Sequence, residues 1–276
     1  MVGHRGRPDD RGGLAWRSGR VEVSDGFLAY HHANGPGPAL VLSHGLTDNG
    51  LCWSRLAEAL AGVFDIILLD ARGHGASSRI PEAAMWDPAL DIAEAIDGLQ
   101  LSRPIVIGHS VGARATAAFA AAFPDRPAKV ILEDPPFLPL ANASEIAHRR
   151  ARFRRQVEQL QDMSEADLFA LGRSTHPTWG EDEFPAWVAA KTQVDRGALP
   201  AYAAPWQADI AGIAVPTLLV YGDPAQGGIV TPDLAAEAVA ENANIRAVHV
   251  PAAGHNIRRE NFADFHAAVR DFLTSP

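Results

Sequence analysis

The regular alternation of short apolar runs with longer helical patterns constrains the fold of this chain most strongly. Uninterrupted apolar runs such as residues 39–43 (ALVLS) are typical of strands that helices cover on both faces. Alternating strands and helices predict an α/β protein with a mostly parallel sheet and helices on both of its faces. The eight predicted strands are residues 20–24, 27–32, 39–43, 66–69, 105–107, 130–132, 217–221 and 245–250.

One interval departs from this alternation. Residues 137–211 contain no strand pattern and several helical ones, at 143–161, 164–171, 185–195 and 206–210. The interval is too long for a simple connection, and it follows the sixth predicted strand. We therefore predict a helical cap over 137–211 and a core formed by 20–136 and 212–276. Residues 1–19 are rich in Arg and Gly, and we expect a flexible extension there.

The amino-acid composition disfavours or excludes several classes of protein. The formal charge of −9 disfavours a nucleic-acid partner, which would require a basic face. No run approaches the roughly 20 apolar residues of a membrane-spanning helix. The single cysteine, Cys52, excludes an internal disulfide and a cysteine-built metal site, and it favours a cytoplasmic protein. The two lysines, Lys129 and Lys191, do not follow a glycine, so no nucleotide-binding loop is present. We expect neither a cofactor nor a metal.

The strongest local signal for chemistry is the sequence GHSVG at residues 108–112. It stands between a predicted strand and an Ala-rich helix, so the chain must turn sharply at Ser110. Small residues at Gly108 and Gly112 permit such a turn, which would expose the serine hydroxyl at the edge of the sheet. The start of the following helix would also present backbone N–H groups to a developing negative charge.

Three further motifs follow predicted strands in the same way. They are SHGL at residues 43–46, DARGHGAS at 70–77 and PAAGHN at 251–256. Together with GHSVG, and in this order, they resemble the α/β-hydrolase superfamily, and more closely its small capped esterases and lactonases. The resemblance extends over about residues 20–273. It implies the α/β-hydrolase fold and a cofactor-free serine hydrolase.

The resemblance also assigns roles to individual residues. It implies that Ser110 is the nucleophile, His255 the general base, and the N–H groups of Leu46 and Val111 the oxyanion hole. A serine hydroxyl is a weak nucleophile until a base removes its proton, and an imidazole can take that proton and return it to the leaving group.

The resemblance also implies a third catalytic residue, an acid that completes a triad with Ser110 and His255. The position of this acid departs from the commonest pattern of the superfamily. The usual position, three residues after the glycine that ends the seventh strand, holds Ala225. Asp223 lies two residues earlier, and Asp134 ends the preceding strand in the sequence LEDPP. Some members take their acid from this earlier strand, so we favour Asp134, with Asp223 as the alternative.

Aromatic residues in and near the predicted cap suggest an apolar pocket over the serine. The candidate wall residues are Trp53, Phe137, Trp179, Trp187 and Trp206. The expected partner is a small, largely apolar ester or lactone. A C–C bond hydrolase, an amidase and a non-catalytic ligand receptor remain alternatives. The arginine-rich run at residues 148–155 is interpreted as a solvated helix face, with attraction of an anionic substrate as the alternative. Nothing in the sequence indicates the oligomeric state.

Overall fold

A computed structural model describes residues 14–80, 86–202 and 204–275, and their central feature is an eight-stranded sheet. The strand order is β1-β2-β4-β3-β5-β6-β7-β8. β1 and β2 pair in antiparallel fashion, β2 is also antiparallel to β4, and all other neighbours are parallel. The predicted α/β-hydrolase fold, with a mostly parallel sheet of eight strands, is therefore confirmed. The strands are β1 (Arg17–Val23), β2 (Gly26–Ala33), β3 (Ala39–Ser43), β4 (Asp65–Leu69), β5 (Ile105–His109), β6 (Lys129–Glu133), β7 (Thr217–Tyr221) and β8 (Ile245–His249).

Helices cover both faces of the sheet, and a separate buried apolar cluster lies under each face. One cluster includes side chains from α2, α3 and α7, whereas the other includes side chains from α1 and α10. Among the described helices, none combines the length and the apolar character needed to cross a membrane. The helices are α1 (Ser54–Leu60), α2 (Pro88–Gly98), α3 (Val111–Ala122), α4 (Ala143–Gln161), α5 (Glu165–Thr175), α6 (Phe184–Thr192), α7 (Trp206–Gly212), α8 (Pro232–Glu241), α9 (Ile257–Glu260) and α10 (Phe262–Thr274).

The carboxyl ends of the central strands lie level with one another. Ser43 at the end of β3 pairs in register with Gly108 of β5, and His109 of β5 pairs with Glu133 of β6. Glu133 in turn pairs with Val220 near the end of β7. Because parallel strands end at the same edge, the loops that follow them bring their side chains together there.

Four helices, α4 to α7, lie between β6 and β7. The last of them packs against the body of the protein, because Arg114 on α3 forms an ion pair with Asp209 on α7. α5 and α6 share an apolar cluster of their own. The Asn142 side chain begins α4 with a reciprocal capping box to Glu145, which explains why the helix starts there.

The first strand begins earlier than the sequence indicated. Residues 17–19, expected in a flexible extension, continue β1, where Arg17 pairs with His32 and Gly19 with Tyr30. The expected extension was therefore too long at its carboxyl end. β1 is an edge strand with mostly exposed side chains, so its polar sequence hid its pairing. Within the rest of the expected extension, residues 1–13 lie outside the described residues.

Candidate active site

The turn at Ser110 is as sharp as its sequence requires. Ser110 has φ 53° and ψ −123°, a conformation that non-glycine residues rarely adopt. A Cβ at Gly108 would lie 2.4 Å from the carbonyl oxygen of Gly112, and one at Gly112 would lie 2.4 Å from that of His44. Both positions therefore require glycine. The Ser110 N–H donates to the Glu133 carbonyl oxygen at 2.9 Å, which ties the turn to β6.

Ser110, His255 and Asp134 form one hydrogen-bonded chain. Ser110 Oγ lies 2.9 Å from His255 Nε2, and His255 Nδ1 lies 2.6 Å from Asp134 Oδ2. The fully buried Asp134 also accepts the N–H groups of Ile229 and Val230 at 2.8 and 2.9 Å. An ionised carboxylate only accepts hydrogen bonds, so the imidazole proton belongs on Nδ1. Nε2 is then left to accept the proton of the serine hydroxyl.

The alternative acid, Asp223, has different partners. Its carboxylate lies 2.7 Å from His249 Nε2 and accepts the Ala252 N–H at 2.8 Å and the Gln226 side-chain amide at 3.0 Å. The Ala252 and His249 hydrogen bonds lower the pKa of Asp223. Asp223 thus connects the end of β7 to the loop that carries His255, and the structure brings Asp134, not Asp223, to the imidazole.

The predicted oxyanion-hole residues lie on both sides of the serine turn. Val111 is the first residue of α3, so its N–H has no acceptor within the helix. Leu46 lies in a turn closed by the Asp48 N–H donating to the Gly45 carbonyl oxygen at 3.1 Å, a bond that does not use the Leu46 N–H. Thr47 in this turn has φ 63°, a left-handed conformation. Leu46 and Val111 both line the same cavity.

The His109 side chain is hydrogen-bonded to the loop that carries His255. Its ring is buried, and its Nε2–H donates to the His255 carbonyl oxygen at 3.0 Å. Burial, together with the charges of Arg258 and His255, lowers the pKa of His109 well below its usual range. The ring is therefore neutral at pH 7 and acts as a fixed hydrogen-bond donor.

A buried cluster of charges, which sequence reasoning missed, lies behind the site. Lys191 on α6 donates to the Thr47 carbonyl oxygen and to Thr47 Oγ1, both at 2.9 Å, and lies 3.4 Å from Asp48. Burial alone would raise the pKa of Asp48, but the nearby cations hold it well below its usual range. The cluster joins the loop of Leu46 to α6 and to α9, directly after His255. Its acids are Asp48, Glu133 and Glu183, and its bases are Lys191, Arg258 and Arg259.

Two features of the sequence could have indicated this cluster. Glu133 is a charged residue directly after the apolar run at residues 130–132, and the pair Arg258-Arg259 follows His255 closely. Arg258 donates its N–H to Glu133 Oε1 at 2.9 Å and its guanidinium to Glu133 Oε2 at 3.1 Å. Since Glu133 precedes Asp134, this pair holds the loop of His255 against the strand that supplies the acid.

A cavity of about 270 Å³ lies between the serine turn and α4. Its walls are mostly apolar and include Leu46, Val111 and Leu199. Leu138 and Leu140 also line it and remain about half exposed, at 46% and 49%. α4 supplies Ile146, Arg149, Arg150, Arg152, Phe153 and Gln156.

The five aromatic residues predicted as pocket walls are not among the residues that line this cavity, so that prediction is corrected. Trp53, Trp179 and Trp187 instead stack against the cations of the charged cluster, 4.2 to 4.5 Å from Arg258, Arg259 and Lys191 respectively. Phe137 and Trp206 stack on each other, 4.3 Å apart, in the apolar core. The tryptophans shield buried charges from water, because buried ions require such partners.

The fold and the site together match a known family. The chain belongs to the alpha/beta hydrolase family, whose sequence model matches residues 40–269. The chain is therefore a member of a family of hydrolases.

Individual relatives carry more specific names. The chain is 28% identical over 270 residues to N-formylmaleamate deformylase of Pseudomonas putida, covering 94% of this chain and 97% of that protein. It is 33% identical over 141 residues to 2-(acetamidomethylene)succinate hydrolase of Mesorhizobium japonicum, a match that spans half of each protein. A crystal structure of E-2-(acetamidomethylene)succinate hydrolase superposes with a TM-score of 0.77 at 24% identity, over 95% of this chain and 100% of that one.

Proposed function

We propose that this protein is a cofactor-free serine hydrolase that cleaves a carboxylic ester or lactone of a small molecule through an acyl-enzyme. Ser110 attacks the carbonyl carbon while His255 removes the hydroxyl proton. The N–H groups of Leu46 and Val111 hold the oxyanion of the tetrahedral intermediate. His255 gives its proton to the leaving oxygen, then activates water that releases the acid and frees Ser110.

The single observation that carries this proposal is the hydrogen-bonded chain from Ser110 through His255 to Asp134. The buried carboxylate fixes the tautomer that leaves Nε2 as the base, and it stabilises the imidazolium that forms during attack. A small-molecule substrate is supported by the size of the cavity next to Leu46 and Val111. The single buried cysteine fits a cytoplasmic enzyme.

Amide hydrolysis is a second candidate, and the names of the relatives favour it. One relative is named for a substrate with an acetamido group, and the other is named a deformylase of a maleamate. The same triad serves both reactions, because His255 can protonate a leaving nitrogen as well as a leaving oxygen.

The test is a comparison of p-nitrophenyl acetate, a γ-lactone and an N-acyl p-nitroanilide with the intact chain and with Ser110→Ala. The Ser110→Ala variant should lose at least about 10³-fold in kcat, while the exposed Ser102→Ala should match the parent. The ratio of ester to anilide turnover distinguishes the two candidates. No Ser110-dependent turnover of any compound, together with tight binding of an apolar ligand, would replace the hydrolase by a ligand receptor.

A further inference from the structure

The cavity beside the serine is positively charged in a chain whose net charge is −9. Four arginines line it, and its lining among the described residues includes no Asp or Glu. Arg114 is already paired with Asp209, whereas Arg149 and Arg152 bring positive charge to the wall formed by α4. The rest of the lining is apolar apart from Gln156 and Tyr202.

The arrangement on α4 follows from helical spacing. Ile146, Arg149, Phe153 and Gln156 are three or four residues apart, so they share the face of α4 that closes the cavity. Arg152 lies three residues after Arg149 and lines the same space. Arg149 and Arg152 are both exposed, so a ligand that enters from solvent can reach their guanidinium groups. Part of the basic run that the sequence suggested as a solvated face, including Arg149 and Arg152, therefore lines the cavity.

We infer that the substrate carries an ionised carboxylate at the end of an apolar acyl chain, and that Arg149 and Arg152 bind this carboxylate. This inference rests on the proposed function, because it places the scissile carbonyl at Leu46 and Val111 on the opposite wall. Phe153 and the lining residues Leu138, Leu140 and Leu199 would contact the apolar chain between the scissile carbonyl and the carboxylate. A guanidinium suits this role, since it can donate two parallel hydrogen bonds to one carboxylate.

The electrostatics of the cavity favour such a ligand in two ways. A wall with charge of one sign attracts an oppositely charged substrate before contact and raises the rate of association. Within the partly enclosed cavity the attraction is stronger than in bulk water. A neutral ester of equal length would gain the same apolar contacts and none of this attraction, so the two kinds of ester should differ in kcat/KM.

The experiment compares p-nitrophenyl hydrogen adipate with neutral p-nitrophenyl heptanoate. The intact chain should prefer the anionic ester by about 10-fold or more in kcat/KM. The preference should shrink when the salt concentration is raised from about 0.05 to about 0.5 M. Arg149→Gln and Arg152→Gln should each remove most of the preference by lowering kcat/KM for the adipate ester. Arg155→Gln is the matched control, because it removes the same charge from an exposed arginine of α4 that does not line the cavity.

Calorimetric binding to Ser110→Ala separates the inference from the proposed function. In this variant the adipate ester should bind at least about 10-fold more tightly than the heptanoate, and Arg149→Gln should abolish the difference. Absence of turnover in the intact chain, with this binding preference retained, would reject the hydrolase and keep the anion site. Equal affinity for the two esters, or an equal loss in Arg149→Gln and Arg155→Gln, would overturn the inference.

Discussion

The replacement Asp134→Asn tests the tautomer argument, because it keeps the shape of the side chain and removes one acceptor. Three N–H donors point at the two carboxylate oxygens, from Ile229, Val230 and His255 Nδ1. An asparagine has one oxygen for them. If that oxygen accepts the two backbone N–H groups, its NH₂ faces Nδ1 and forces the imidazole proton onto Nε2. Ser110 then has no base.

We expect kcat to fall by about 10⁴-fold in Asp134→Asn, the scale on which a wrong histidine tautomer acts. The unfolding free energy should fall by about 1–3 kcal/mol, because hydrogen bonds to a buried carboxylate are replaced by weaker ones to a neutral amide. Assays of p-nitrophenyl acetate hydrolysis measure kcat. Urea unfolding measures the unfolding free energy and shows that the variant is folded.

Asp223→Asn is the internal control for this replacement. Asp223 accepts hydrogen bonds from Ala252 and Gln226 and contacts His249, so its loss should loosen the loop and reduce kcat by less than about 10-fold. A folded Asp134→Asn variant with kcat within about 10-fold of the parent, or a loss in Asp223→Asn as large as that in Asp134→Asn, would show that Asp134 does not set the tautomer of His255.

Three further predictions concern the surroundings of the site. Lys191→Met should lower the unfolding free energy in urea by about 3 kcal/mol, because Asp48 and the Thr47 carbonyl lose a buried partner; a change under 0.5 kcal/mol would contradict the role of the charged cluster. Burial lowers the pKa of His74 to about 3, so the unfolded chain binds a proton below pH 6.5 that the folded chain does not. The unfolding free energy should therefore fall as pH drops from 6.5 towards 3, by up to about 1.4 kcal/mol per pH unit for this group, and His74→Gln should show a shallower slope. Burial raises the pKa of Cys52 to about 11, so iodoacetamide at pH 7.5 should leave the folded protein unmodified by mass spectrometry and alkylate it in urea.

The fold was predictable because its strands are buried on both faces. The strand β5, with every residue buried, begins with the apolar run at residues 105–107, and the sharp turn that follows requires glycine at positions 108 and 112. The edge strand β1 carries no such requirement. Its first residues are polar and exposed, so residues 17–19 resembled the preceding extension.

The parts of the site that the backbone positions were predictable from the sequence. The parts that depend on the direction of a side chain were not. Asp134 and Asp223 both follow strands at the same edge, but the Asp134 carboxylate accepts the backbone amides of Ile229 and Val230 and lies 2.6 Å from His255 Nδ1. An aromatic residue serves a pocket wall, an apolar core or a buried cation equally well. Trp53 was therefore assigned to a pocket, whereas it stacks on Arg258, a partner 205 positions further along the chain.

Covalent labelling shows whether Ser110 is the nucleophile. The chain would be treated with diethyl p-nitrophenyl phosphate, which phosphorylates activated serines, and then analysed by intact mass and by peptide mapping. We expect one diethylphosphoryl group per chain, located on Ser110, with loss of ester turnover in proportion to labelling and no label in Ser110→Ala. Complete inactivation with the label on another residue, or full ester turnover by Ser110→Ala, would contradict this expectation.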